Sequence, residues 1–113
     1  MKYLLLFVDT EETRGRSEAE RGALAEKIGV WWGEHAQSGV ILNGEQLDGP
    51  ETATTVRHDH GTVTIVDGPF IEAKEHVGGY GVVDVKDLDA ALELAKSWPW
   101  GGVVEVRPVY EMQ

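Results

Sequence analysis

The sequence predicts an α+β sandwich in which two helices pack on one face of an antiparallel sheet, and two observations carry that prediction. β-rich and helical segments follow one another in the order β, α, β, hairpin, β, α, β, which is the ferredoxin-like arrangement. Several strand segments are apolar at successive positions, the mark of cover on both faces, whereas two helices can cover only one. The open face therefore wants a partner. A second copy of the chain would supply it through an isologous interface, so a homodimer is expected.

Each element has a local cause. Residues 3–8 are apolar at every position and read as the first strand. The first helix opens at Ser17, whose hydroxyl can cap while Glu20 completes a capping box, and it closes near Gly39. Leu24, Ile28, Trp31 and His35 share one stripe of it, and Ala25, Ile28, Trp32 and Ala36 an adjacent one. Residues 40–42 form a second strand, and residues 54–58 and 62–66 a hairpin in which Gly61 supplies the left-handed turn position. After a strand at Val82 and Val83, the second helix starts at Asp87, shows Leu88, Ala91, Leu92, Ala95 and Trp98 on one face, and stops at Pro99. Val103 and Val104 begin the last strand.

With 113 residues the chain is one domain able to bury a modest core. Its 20 acidic and 10 basic residues give a net charge of −10, which repels a phosphate backbone, and the basic residues form no cluster in sequence. Direct nucleic-acid binding is disfavoured. The absence of cysteine removes disulfides, thiolate nucleophiles and thiolate metal sites from consideration. The apolar run at the N-terminus is too short to span a membrane and has no cleavage site behind it, so a cytoplasmic protein without membrane attachment is expected.

Residues 61–85 are the most informative stretch. A strand runs into Asp67-Gly68-Pro69-Phe70, where Asp67 can bond its downstream backbone, Gly68 tolerates positive φ and Pro69 fixes its own φ. A charged loop with Glu72, Lys74 and Glu75 follows, and a second strand leaves through Gly78-Gly79-Tyr80. Together with Gly44-Glu45-Gln46-Leu47, Ala53-Thr54-Thr55-Val56-Arg57, Asp87-Leu88-Asp89 and Glu105-Val106-Arg107-Pro108-Val109, this stretch resembles the YCII-related, or DGPF, family over residues 1–110. The resemblance implies a dimeric α+β barrel made by pairing two sheets. It also implies association of DGPF-type relatives with extracytoplasmic-function sigma factors, an expectation that an acidic surface facing a basic partner would suit. Distant relatives that resemble enzymes acting on small aromatic compounds pair a first-helix histidine with an aspartate. Here Lys27 stands nearest that helix position and His35 lies two turns away, so the chain departs from that pattern.

Strand parity selects the candidate site. Asp67 falls on the side of Val63 and Ile65, and a carboxylate at a rigid turn beside an apolar cavity can act as a general base; the alternative is that it caps its own turn. Arg57 and Arg107, converging with Glu105 on one sheet face, are candidates for holding an anionic group, or for neutralising nearby acids. Glu72 and Lys74 are candidate ligand contacts on a loop that could equally be merely solvated, and Tyr80 is a candidate proton donor or an interface aromatic. His58-Asp59-His60 has the outline of a metal clip but lies at a hairpin tip far in sequence from further ligands, so no metal or other cofactor is expected. The two readings are a small-molecule-binding barrel, with Asp67 moving a proton in a cavity between helices and sheet, and a non-catalytic regulatory partner of a sigma factor.

Overall fold

The computed structural model describes residues 1–70 and 74–111. The chain runs β1 (Lys2–Asp9), α1 (Glu11–Arg14), α2 (Glu18–Gln37), β2 (Ile41–Gln46), a 3-10 turn (Pro50–Thr52), β3 (Thr54–Asp59), β4 (Thr62–Asp67), β5 (His76–Asp84), α3 (Leu88–Lys96) and β6 (Val103–Pro108). Four strands form one antiparallel sheet in the order β2-β5-β1-β6. With two crossover helices, this order is compatible with the ferredoxin-like α+β fold.

The helix boundaries follow the caps. Ser17 accepts from the Glu20 N–H at 3.2 Å, but the Glu20 carboxylate takes the Ser17 hydroxyl at 3.0 Å instead of reaching back to the backbone. Asp87 accepts from the Ala90 N–H at 2.9 Å and opens α3, which ends one residue before Trp98-Pro99. A four-residue helix, α1, was not expected. Thr10 and Thr13 cap each other reciprocally there, directly after β1.

Alternation along β1 divides the sheet. Tyr3, Leu5 and Phe7 are buried against the helices together with Trp31, Ile41, Val83, Ala91 and Leu94. Phe7 is the hub: its ring stacks on Trp98 at 3.9 Å and meets Trp31 edge-on at 6.3 Å. Among the described residues, the layer between helices and sheet, where a ligand cavity was expected, is occupied by this aromatic core. Of the two stripes on α2, the one through Leu24, Ile28, Trp31 and His35 faces inward; of the other, Trp32 is half-buried against the core while Ala25 and Ala36 are exposed. Among the described residues, α2 and α3 leave the other face of the sheet, with Leu4, Leu6 and Val8 on β1, uncovered.

The hairpin is a separate body. Among the described residues, β3 and β4 pair only with each other, and all but one of their residues are exposed. Its tip is a two-residue turn in which Gly61 takes the expected left-handed position at φ 84° and His60 joins it at φ 47°, so β3 reaches to Asp59. Paired residues share a face, so Val56, His58, Val63, Ile65 and Asp67 line one side, and Thr55, Arg57, Asp59, Thr64 and Val66 the other. The first side is apolar, yet Val56, Val63 and Ile65 are 54%, 55% and 72% exposed. Two-stranded hairpins are at best marginally stable alone.

The whole chain shows the same excess of surface. Its accessible area is 8071 Å², against roughly 6,100 Å² for a compact protein of 12.4 kDa. Its radius of gyration is 16.0 Å, against about 13 Å for a compact domain of this length.

Close packing of β2 rests on a glycine. A Cβ at Gly44 would run into the Tyr80 carbonyl oxygen and the Trp32 ring. Gly44→Ala should therefore reduce the unfolding free energy by about 1–3 kcal/mol, the usual cost of overpacking, seen as a lower urea midpoint with an unchanged slope. A neutral effect would mean that β2 can move off β5.

Candidate functional site

On the helix-free face, cross-strand register brings several of the singled-out side chains into rows. Leu6 of β1 stands between Tyr80 of β5 and Glu105 of β6, and Tyr80 in turn faces Glu45 of β2. One row along, Leu4 stands between Val82 and Arg107. Side chains two residues apart on a strand share a face, so Tyr80, Glu105 and Arg107 surround an apolar floor of Leu4, Leu6 and Val82. Tyr80 is half-buried. Glu105 and Arg107 approach each other at 3.9 Å with both side chains largely exposed, a weak pair that leaves most guanidinium donors free for other acceptors.

The remaining candidates lie elsewhere in the chain. Asp67 shares the hairpin face of Val63 and Ile65, as strand parity predicted, but that face is exposed. The described hydrogen bonds of its turn come from neighbours: the Gly68 N–H donates to the Ala53 carbonyl at 2.7 Å and the Thr55 hydroxyl to the Gly68 carbonyl at 2.7 Å, with Gly68 at φ 108°. Arg57 sits on the opposite hairpin face, its guanidinium 5.2 Å over the Phe70 ring. The expectation that Arg57, Glu105 and Arg107 converge on one sheet face fails within a single chain, because the hairpin is not part of that sheet. Lys74 is exposed and pairs with Glu11 at 3.8 Å. Glu72 lies outside the described residues. At the hairpin tip, His60 and Asp59 approach to 3.4 Å, both well exposed. His35 packs its ring on Trp31 at 4.9 Å, which is a packing role.

A second polar cluster went unnoticed in the sequence. Asp9, at the end of β1, accepts through one carboxylate oxygen from the Trp100 indole N–H at 2.9 Å and from the Thr13 hydroxyl at 3.1 Å. Thr13 is 1% exposed. The register slips between Phe7 and Val8, and a Cβ at Gly78 would run into the other Asp9 oxygen. Arg16 stacks over Trp100 at 5.2 Å and donates to its carbonyl at 2.6 Å. These bonds tie β1, α1 and the loop after α3 together. The sequence signal was an acid directly after an all-apolar strand; its partner, Trp100, is distant in sequence and cannot be deduced from spacing.

An antiparallel four-stranded sheet with helices on one side and a ringed apolar floor on the other defines an α+β protein of the two-layer sandwich class. The chain matches the YCII-related domain over residues 1–113 and belongs to that family. It is also similar to a protein of Rhizobium meliloti (strain 1021) named as uncharacterized protein R00369, with 29% identity over 110 residues covering 94% of this chain and 89% of the relative. No helix among the described residues is long and apolar enough to cross a membrane.

If Asp9 is the fastener described, Asp9→Ala strands the Trp100 indole N–H, while the Thr13 hydroxyl keeps the Thr10 carbonyl at 3.1 Å as acceptor, and should cost about 1–3 kcal/mol in urea unfolding. Asp59→Ala at the exposed tip should stay within about 0.5 kcal/mol. The reverse order would refute the assignment.

Proposed function

We propose that the protein is a homodimer that binds a small organic molecule bearing an anionic group, and that the ligand lies on the helix-free sheet face. The observation that supports this most is the convergence of Tyr80, Glu105 and Arg107 around Leu4, Leu6 and Val82. An apolar floor with a few convergent polar groups is the usual make-up of a small-molecule site. Arg107 takes the anionic group, and the Tyr80 hydroxyl contacts the body of the ligand. Pairing of two such faces in a dimeric α+β barrel would shut the site off from bulk water. Where turnover follows, Asp67 is the proton-abstracting base.

A dimer also accounts for the surface. The excess of roughly 1,900 Å² over a compact chain exceeds the roughly 800 Å² per partner of a standard interface and falls in the range of permanent ones. Light scattering should give twice the chain mass of 12.4 kDa.

A thermal-shift screen of carboxylate- and phosphate-bearing metabolites tests the ligand assignment. At least one compound should raise the melting temperature of the wild type, and Arg107→Gln should abolish that rise without altering the unliganded melting point. An equal rise in the variant removes Arg107 from the site. The net charge of −10 gives some support to a second reading, a non-catalytic protein that docks on a basic partner such as a sigma factor. In that case no metabolite shifts melting, and capture of the sigma factor survives Asp67→Asn.

A further inference from the structure

We infer that the β3–β4 hairpin of each copy lies across the helix-free sheet face of the other, so that the site is composite: Tyr80 and Arg107 come from one protomer and Asp67 from its partner. The inference rests on the dimeric reading above and adds what the second copy contributes.

Within one chain the candidate residues are divided between two bodies. Tyr80, Glu105 and Arg107 stand on the four-stranded sheet, while Asp67 stands on the hairpin, whose strands pair with nothing else. Each body leaves an apolar face wet. On the hairpin it is Val56, Val63 and Ile65; on the sheet it is the half-buried floor of Leu4, Leu6 and Val82, continued by the exposed Val77 and Val103 on either side of Val8. Covering either one alone would still leave the other exposed, and a two-fold axis that lays each hairpin on the opposite sheet covers both at once.

Area and stability favour a second copy as the occupant. The surface excess of roughly 1,900 Å² per chain matches a permanent, intertwined interface better than a small transient contact. The hairpin, marginal by itself, gains a layer to pack on. Sidedness then fixes the chemistry. The apolar side of the hairpin is the one that ends in Asp67, so seating it on the partner's floor carries that carboxylate toward the ring of Tyr80 and Arg107. Arg57, on the opposite side with Phe70 beneath it, is left facing outward and is excluded from the composite site. Closing the hairpin over the floor would also bring Asp67 out of bulk water, the condition under which a carboxylate becomes a useful base.

Because the chain contains no cysteine, single thiols can be placed at will. Chains carrying Asp67→Cys and chains carrying Tyr80→Cys, distinguished by tags of different size, are co-expressed, purified as mixed dimers and treated with a short bis-maleimide. The expected result is a covalent heterodimer joining the two tagged chains, formed in at least tenfold excess over the Asp67→Cys homodimer. The pair Ile65→Cys and Leu6→Cys repeats the test at the apolar contact, in case either site substitution disturbs folding. A stable dimer in which neither pair links overturns the hairpin exchange and leaves the dimer standing. Monomers by light scattering overturn both. A link formed within one chain carrying both thiols, seen as a shifted monomer band, would likewise overturn the exchange.

Discussion

The structure depends on a one-sided arrangement of its core. α2 and α3 pack on the side of the sheet marked by Tyr3, Leu5 and Phe7, and the aromatic cluster around Phe7 occupies that layer. The alternate residues of the same strand, Leu4, Leu6 and Val8, are nearly as apolar, and apolar surface on both sides of a strand is favourable only when both sides are removed from water. Uncovered floor, detached hairpin and large accessible area are three expressions of that imbalance. The polar residues that could do chemistry are found where it is unresolved.

Much of the fold was legible because its signals are local. Ser17, Asp87, Pro99 and Gly61 each act on the backbone within a few residues, and each marks the boundary or turn read from it. The face carrying Val63, Ile65 and Asp67 followed from a period of two, which holds in any pairing. Strand extents were less legible: β5 reaches back to His76 through Gly78 and Gly79, residues that carry no β signal and are extended only because β1 and β2 flank them.

Long-range relations were the illegible part. Nothing in residues 54–67 states that they form a sheet of their own, because a hairpin pattern is the same whether or not a third strand joins it. For that reason Arg57 was grouped with Glu105 and Arg107, from which the structure separates it. Asp9 was missed for a related reason: its significance comes from Trp100, 91 residues away, which only the folded sheet brings into reach. Asp67, by contrast, was read correctly as to face and left open as to environment, which in the single chain is solvent.

Native-state hydrogen exchange on residues 54–67 at a series of protein concentrations tests the dependence of this region on a second copy most directly. If the hairpin is buried by a partner, its amides are protected almost as strongly as those of β1 and β5 when the protein is concentrated, and that protection falls on dilution. Hairpin amides that exchange as fast as an open loop at every concentration, while β1 and β5 stay protected, would contradict it.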